Sequence, residues 1–122
     1  MKSLMLAFAL SLSTTAFARQ YIQCSSNQSS EVAVVNLTSV NNGTLFISSG
    51  MENSEADRTV VKIKLEKVEA GNHVYKIIHD NVQGQVVLPS SAIGKASNFL
   101  TLDLDFAGYF IQYGCFSAIY ND

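Results

Sequence analysis

Two cysteines, Cys24 and Cys115, stand near opposite ends of a 122-residue chain, 91 positions apart. What they can do depends on where the chain goes. Lys2, the apolar run from Leu4 to Leu12 and the small-x-small triplet Ala16-Phe17-Ala18 make up the pattern of a secretory signal peptide, residues 1–18. Its apolar centre falls short of the roughly 20 residues that a membrane-spanning helix needs. Cys24 follows Tyr21-Ile22-Gln23, not the small residues that precede a lipidated cysteine. The sequence therefore predicts export, secreted or periplasmic and in style bacterial, into an oxidising compartment where two cysteines pair. Closing so long a loop stabilises a chain by about 4–5 kcal/mol in the chain-entropy model. That is a large share of the roughly 5–15 kcal/mol by which a domain is stable. Residues 19–122 are expected to form a single domain with its two extremities tied together.

The last third of the chain shows what kind of element is tied. Leu100, Leu102, Leu104 and Phe106 alternate with Thr101, Asp103 and Asp105, the period of a half-buried strand. Ala107-Gly108 breaks the run, and Tyr109 to Phe116 follows, rich in the aromatic and β-branched residues that strands favour. The two segments predict a hairpin, with Leu100 at the start of its first strand.

Earlier segments repeat the theme. Gln20 to Ser25 reads as a first strand, with turn residues Ser26 to Ser30 after it. Val32 to Thr38 and Thr44 to Ser48 read as a hairpin around Asn41-Asn42-Gly43. Glu52 to Asp57 lies in a polar, acidic loop. Arg58 to Val68 alternates most cleanly, with Val61, Ile63, Leu65 and Val68 expected inward and Lys62, Lys64 and Glu66 outward. His73 to His79 and Gln83 to Leu88 supply two more strands, the second ended by Pro89, which cannot donate to a ladder. A single helical turn is expected around Ser91-Ala92-Ile93.

The expected fold is thus all-β: a small antiparallel β-barrel or β-sandwich of about eight short strands, first and last strands linked by a disulfide. A barrel is attractive because closure removes exposed edges. An outer-membrane barrel fits less well, since Lys62, Lys64, Asp103 and Asp105 would face lipid. Eight Lys and Arg oppose ten Asp and Glu, so losing Lys2 with the signal takes the net charge from −2 to −3. No basic stripe is present, which sets aside nucleic acid as a partner.

Residues capable of chemistry are few. His73 and His79 are the only histidines, and no third histidine or spare cysteine joins them, so no metal or other cofactor is expected. Asp103 and Asp105 share a face at a spacing known from glycoside hydrolases; the plainer reading sets them against Lys62 and Lys64 on a neighbouring strand. No Gly-x-Ser-x-Gly elbow marks a serine nucleophile. The acidic loop lacks the alternating ligands of a calcium hand. The aromatic strand is the most informative stretch. Its rows, Tyr109-Ile111-Tyr113-Cys115 and Phe110-Gln112-Gly114-Phe116, both carry large apolar groups. Cover on both faces is the favoured reading. Were one row left in water, Tyr109, Phe110, Tyr113 or Phe116 would mark a binding surface.

The function these features suggest is an exported, non-enzymatic domain that binds another macromolecule, a protein or a glycan, as an inhibitor or a surface recognition module. The alternatives are a small hydrolase using His73 or His79 and a structural subunit of an envelope.

Overall fold

The computed structural model describes residues 18–26, 31–48 and 58–120. The expected signal peptide lies outside the described residues except for Ala18, as do most of the turn after Ser25 and the whole acidic loop Glu52 to Asp57. Eight strands run in chain order: β1 (Arg19–Ser25), β2 (Val32–Leu37), β3 (Asn42–Ser48), β4 (Arg58–Glu69), β5 (Asn72–Ile78), β6 (Gly84–Pro89), β7 (Ser97–Phe106) and β8 (Tyr109–Tyr120). Each pairs antiparallel with the next, and β8 returns to pair with β1, closing a barrel. Of the two architectures that the sequence left open, the barrel is the one formed.

Local chemistry explains the simplest connections. Ala70-Gly71 and Ala107-Gly108 each place two successive residues at positive φ. That is the two-residue hairpin turn whose twist matches that of the flanking strands. Period-two alternation does the rest, sending Ile22, Val35, Leu45, Ile63, Val86 and Leu102 into a packed interior. Tyr75 and Tyr113 are the largest side chains buried there.

Cys24 and Cys115 sit directly opposite each other on β1 and β8, and their sulfurs are bonded. The link crosses the seam that closes the barrel. The pairing expected from the sequence is the pairing present.

Two β-bulges change what alternation alone would give. At a register shift between Leu65 and Lys67 one extra residue puts Val68 opposite His73 on β5. Val68, expected inward, is nevertheless exposed near the end of β4 and does not continue the inner row. A second shift, between Ser97 and Leu100, extends β7 back to Ser97, so the strand starts three residues earlier than its alternation implied.

The lower end of the barrel carries the turns 38–41 and 70–71 and the stretch 90–96. After Pro89 the chain makes a single 3₁₀ turn, Ser90–Ala92, which buries Ala92 beneath the strands. Gln20, fully buried on β1, holds this stretch in place. Its Nε2 donates to the Ala92 carbonyl at 2.7 Å and to Ser117 Oγ at 2.8 Å, with a longer bond to the Lys95 carbonyl. Its Oε1 accepts from the Gly94 N–H at 2.8 Å. Ser117 Oγ in turn donates to the Lys95 carbonyl at 2.8 Å. Nearby, the Tyr75 hydroxyl donates to the Val40 carbonyl at 2.8 Å, and burial pushes its pKa up to about 12. Among the described residues no helix is long and apolar enough to cross a membrane.

Candidate functional site: an outer aromatic band

On β8 the inner row is Ile111, Tyr113, Cys115 and Ser117; Phe110, Gln112, Gly114 and Phe116 form the outer row. Cover on both faces does not hold. Phe110 is 66% exposed and Phe116 46%, while Tyr113 is 1% exposed and belongs to the core. A barrel has one interior, so a strand with large apolar groups on both faces must leave one set outside. Tyr109 opens β8 opposite Phe106, and its side chain lies outside what is described.

The sequence reading missed a further ring. Phe99, in the β7 bulge, is 68% exposed. It leans over Gly114 so closely that a Cβ there would lie 3.2 Å from its ring. The available signal was the doublet Phe99-Leu100, two large apolar residues in succession where alternation allows one.

Strand pairing carries the outer row of β8 across the barrel. Phe116 pairs with Gln23, Gln23 with Val34, Val34 with Phe46 and Phe46 with Val60. Four apolar side chains and one amide therefore form a band across β8, β1, β2, β3 and β4. Val34 and Phe46 are half-buried by their neighbours, while Phe116 and Val60 protrude. Below the band, Tyr21 and Tyr120 meet across the seam with ring centroids 6.0 Å apart. Covering a Phe or Val side chain contributes about 1.5–3 kcal/mol. Such an unburied row is therefore a reservoir of binding energy.

A groove of about 370 Å3 runs beside the band between Phe99 and Phe116, over Gly114, with Gln23, Ser25 and Asn98 at its margin. A larger cleft, about 660 Å3, lies along β4 and β5 beside the Asp80-Asn81 turn. Its charged and titratable side chains include Lys64 and Lys76, Glu66 and Asp80, and His79, with neither sign dominant. A third, about 130 Å3, opens at the upper end of the barrel between Ile47, Leu104, Phe106 and Ile111. There the Tyr113 hydroxyl donates to Glu31 Oε1 at 2.9 Å. Burial first, and then this bond to a carboxylate, hold the Tyr113 phenol well above its ordinary pKa.

The other chemistry-bearing residues are scattered. Asp103 and Asp105 are on β7, which pairs with β6 and β8, whereas Lys62 and Lys64 are on β4. The expected cross-strand ion pairs are therefore not formed; Asp103 Oδ1 instead accepts from Gln112 Nε2 at 3.0 Å. His73 Nδ1 lies 2.8 Å from Ser90 Oγ, in reach of a hydrogen bond, and its ring stacks on Tyr75. His79 stands in the exposed turn region and pairs through its backbone with Val82. Among the described residues no group of three His, Cys, Asp or Glu is placed to hold a metal ion.

Comparison of the chain with protein-family models, with curated proteins and with solved structures finds no match.

Proposed function

We propose that this is an exported, non-enzymatic β-barrel that binds another macromolecule through the exposed rings Phe99 of β7 and Phe116 of β8, where the outer band begins. The observation that carries the reading is the exposure of Phe99 and Phe116 side by side, on a face that the fold does not need for its own core. Contiguous exposed apolar surface marks interaction sites, and aromatic residues are the commonest anchors in them. The disulfide favours an oxidising destination, the periplasm or the medium. Lys62, Lys64, Lys76, Asp103 and Asp105 on the outer rows of β4, β5 and β7 favour an exterior in water.

The test is cross-linked affinity capture from native envelope material by immobilised protein. The Phe99→Ser/Phe116→Ser variant is expected to lose the captured partner while its unfolding midpoint stays within a few degrees of the parent's. Phe110→Ser, at the far end of the same row, is expected to keep it. Equal capture by all three proteins overturns the reading.

One observation favours the hydrolase alternative, the 2.8 Å approach of His73 Nδ1 to Ser90 Oγ. A nucleophile and its base sit at such a distance. The pair also ties β5 to the 3₁₀ turn. Labelling by a fluorophosphonate that disappears in Ser90→Ala would support the catalytic reading; a stability loss without labelling would leave the pair a structural tie.

A further inference from the structure

We infer that the groove between Phe99 and Phe116 is a subsite for an uncharged sugar residue of a glycan; this rests on the binding role proposed above and specifies its ligand. The volume, about 370 Å3, falls toward the small end of the roughly 300–1,000 Å3 that ligand clefts occupy. A protein partner burying a standard area of about 800 Å2 per side needs a broader footprint. The two walls are aromatic. Between them the outer row of β8 carries no side chain at Gly114, and the edge of the Phe99 ring reaches over that backbone.

The margin is polar and neutral. Gln23 and Asn98 each present an amide that both donates and accepts, and Ser25 adds a hydroxyl that does the same. Among the described residues lining the groove none is charged. A phosphate, sulfate or uronate would meet no counter-charge from these residues. A pyranose matches both features: its C–H face lies flat on an aromatic ring, and its hydroxyls exchange hydrogen bonds with amides.

The β7 bulge is the device that builds the groove. It interrupts the ladder between Ser97 and Leu100 and leaves two successive residues, Asn98 and Phe99, facing water. Alternation counted back from Leu100 already faces Phe99 outward and would turn Asn98 inward; the extra residue brings Asn98 out beside the ring. Bulges of this kind re-aim side chains beside binding sites.

The experiment is an amide-resolved NMR titration of the mature protein with three neutral tetrasaccharides: cellotetraose, maltotetraose and tetra-N-acetylchitotetraose. Tetragalacturonate serves as the charged control. At least one neutral sugar is expected to bind with millimolar or better affinity, shifting the Gly114 and Asn98 amides, while the acid does not. Phe99→Ala and Phe116→Ala are expected to weaken that binding about tenfold or more, and Phe110→Ala to leave it unchanged. Both groove substitutions are at exposed positions, so folding is checked by the thermal midpoint alone.

Absence of response to every neutral sugar overturns the assignment, as does a response that survives both groove variants. Preference for the uronate overturns it too. If the sugars fail while Phe99→Ser/Phe116→Ser still abolishes partner capture, the binding role stands and the sugar falls. If capture is also unaffected, both fall.

Discussion

At its lower end the barrel is shut by hydrogen bonds: the Gln20 amide meets Ala92, Gly94, Lys95 and Ser117, each of its polar atoms satisfied inside the protein. At its upper end the interior runs out into a cavity of about 130 Å3, crossed by the Tyr113–Glu31 bond. The seam between β1 and β8 connects the two ends and is held differently at each. Near the bottom it carries Gln20 and Ser117; near the top, the Cys24–Cys115 link. Directional hydrogen bonds stabilise where every partner is in place, because an unmet buried group costs more than a bond contributes. Among the described residues, the amide network ties the lower part of the seam and the covalent link its upper part.

The largest expected effect comes from removing that link. Cys24→Ala/Cys115→Ala should lose about 4–5 kcal/mol of unfolding free energy in urea. Hydrogen exchange should accelerate first at Tyr113 and Gly114, while the amides around Gln20 stay protected longer; uniform acceleration would break the contrast between the ends. Next comes the plug. Gln20→Ala strands the Gly94 N–H, leaves the Ala92 carbonyl with its bond from the Lys95 N–H alone, and should cost about 1–3 kcal/mol. A loss much smaller than that would mean that apolar packing of Ala92, and not the amide, shuts the lower end.

The smallest effect belongs to the mouth, where Tyr113→Phe should cost about 0.5–1.5 kcal/mol. Both buried phenols also set a pH limit. Their folded-state pKa values lie above the unfolded 10.0, so the stability they contribute is complete below pH 10 and is lost as the pH rises through the folded values, about 12 for Tyr75. Phenolate absorbance should show Tyr75 and Tyr113 lagging until the barrel unfolds, with the Tyr113 contribution gone in Tyr113→Phe.

Much of this architecture could be read from residue order. Alternation placed Val61, Ile63 and Leu65 inside, Ala107-Gly108 placed the last hairpin turn, and the two cysteines named the seam. The turn expected around Asn41-Asn42-Gly43 falls instead at 38–41, with Asn42 and Gly43 already in β3. What failed was whatever depends on strand neighbours or on one inserted residue. Lys62 and Lys64 seemed natural partners for Asp103 and Asp105, but pairing requires adjacency, and adjacency in a closed meander follows chain order. Val68, expected inward, is exposed beyond the β4 bulge, and the β7 bulge turns Asn98 outward beside Phe99; a bulge is one residue of extra length that leaves little trace in an apolar pattern. Gln20 gave no signal at all. An amide next to the expected cleavage site looks solvent-bound until a turn some 70 residues later folds over it.

Arg19 lies opposite Tyr120, and each strand of the barrel pairs with its successor. The pairing pattern is therefore cyclic, with no strand that must come first. Splicing the end of β8 to the start of β1 and opening the backbone at Ala70-Gly71 or Ala107-Gly108 would rearrange the order of synthesis yet preserve every other neighbour. Such permutants would carry the aromatic band unchanged, since that surface is written in the ring and not in its starting point.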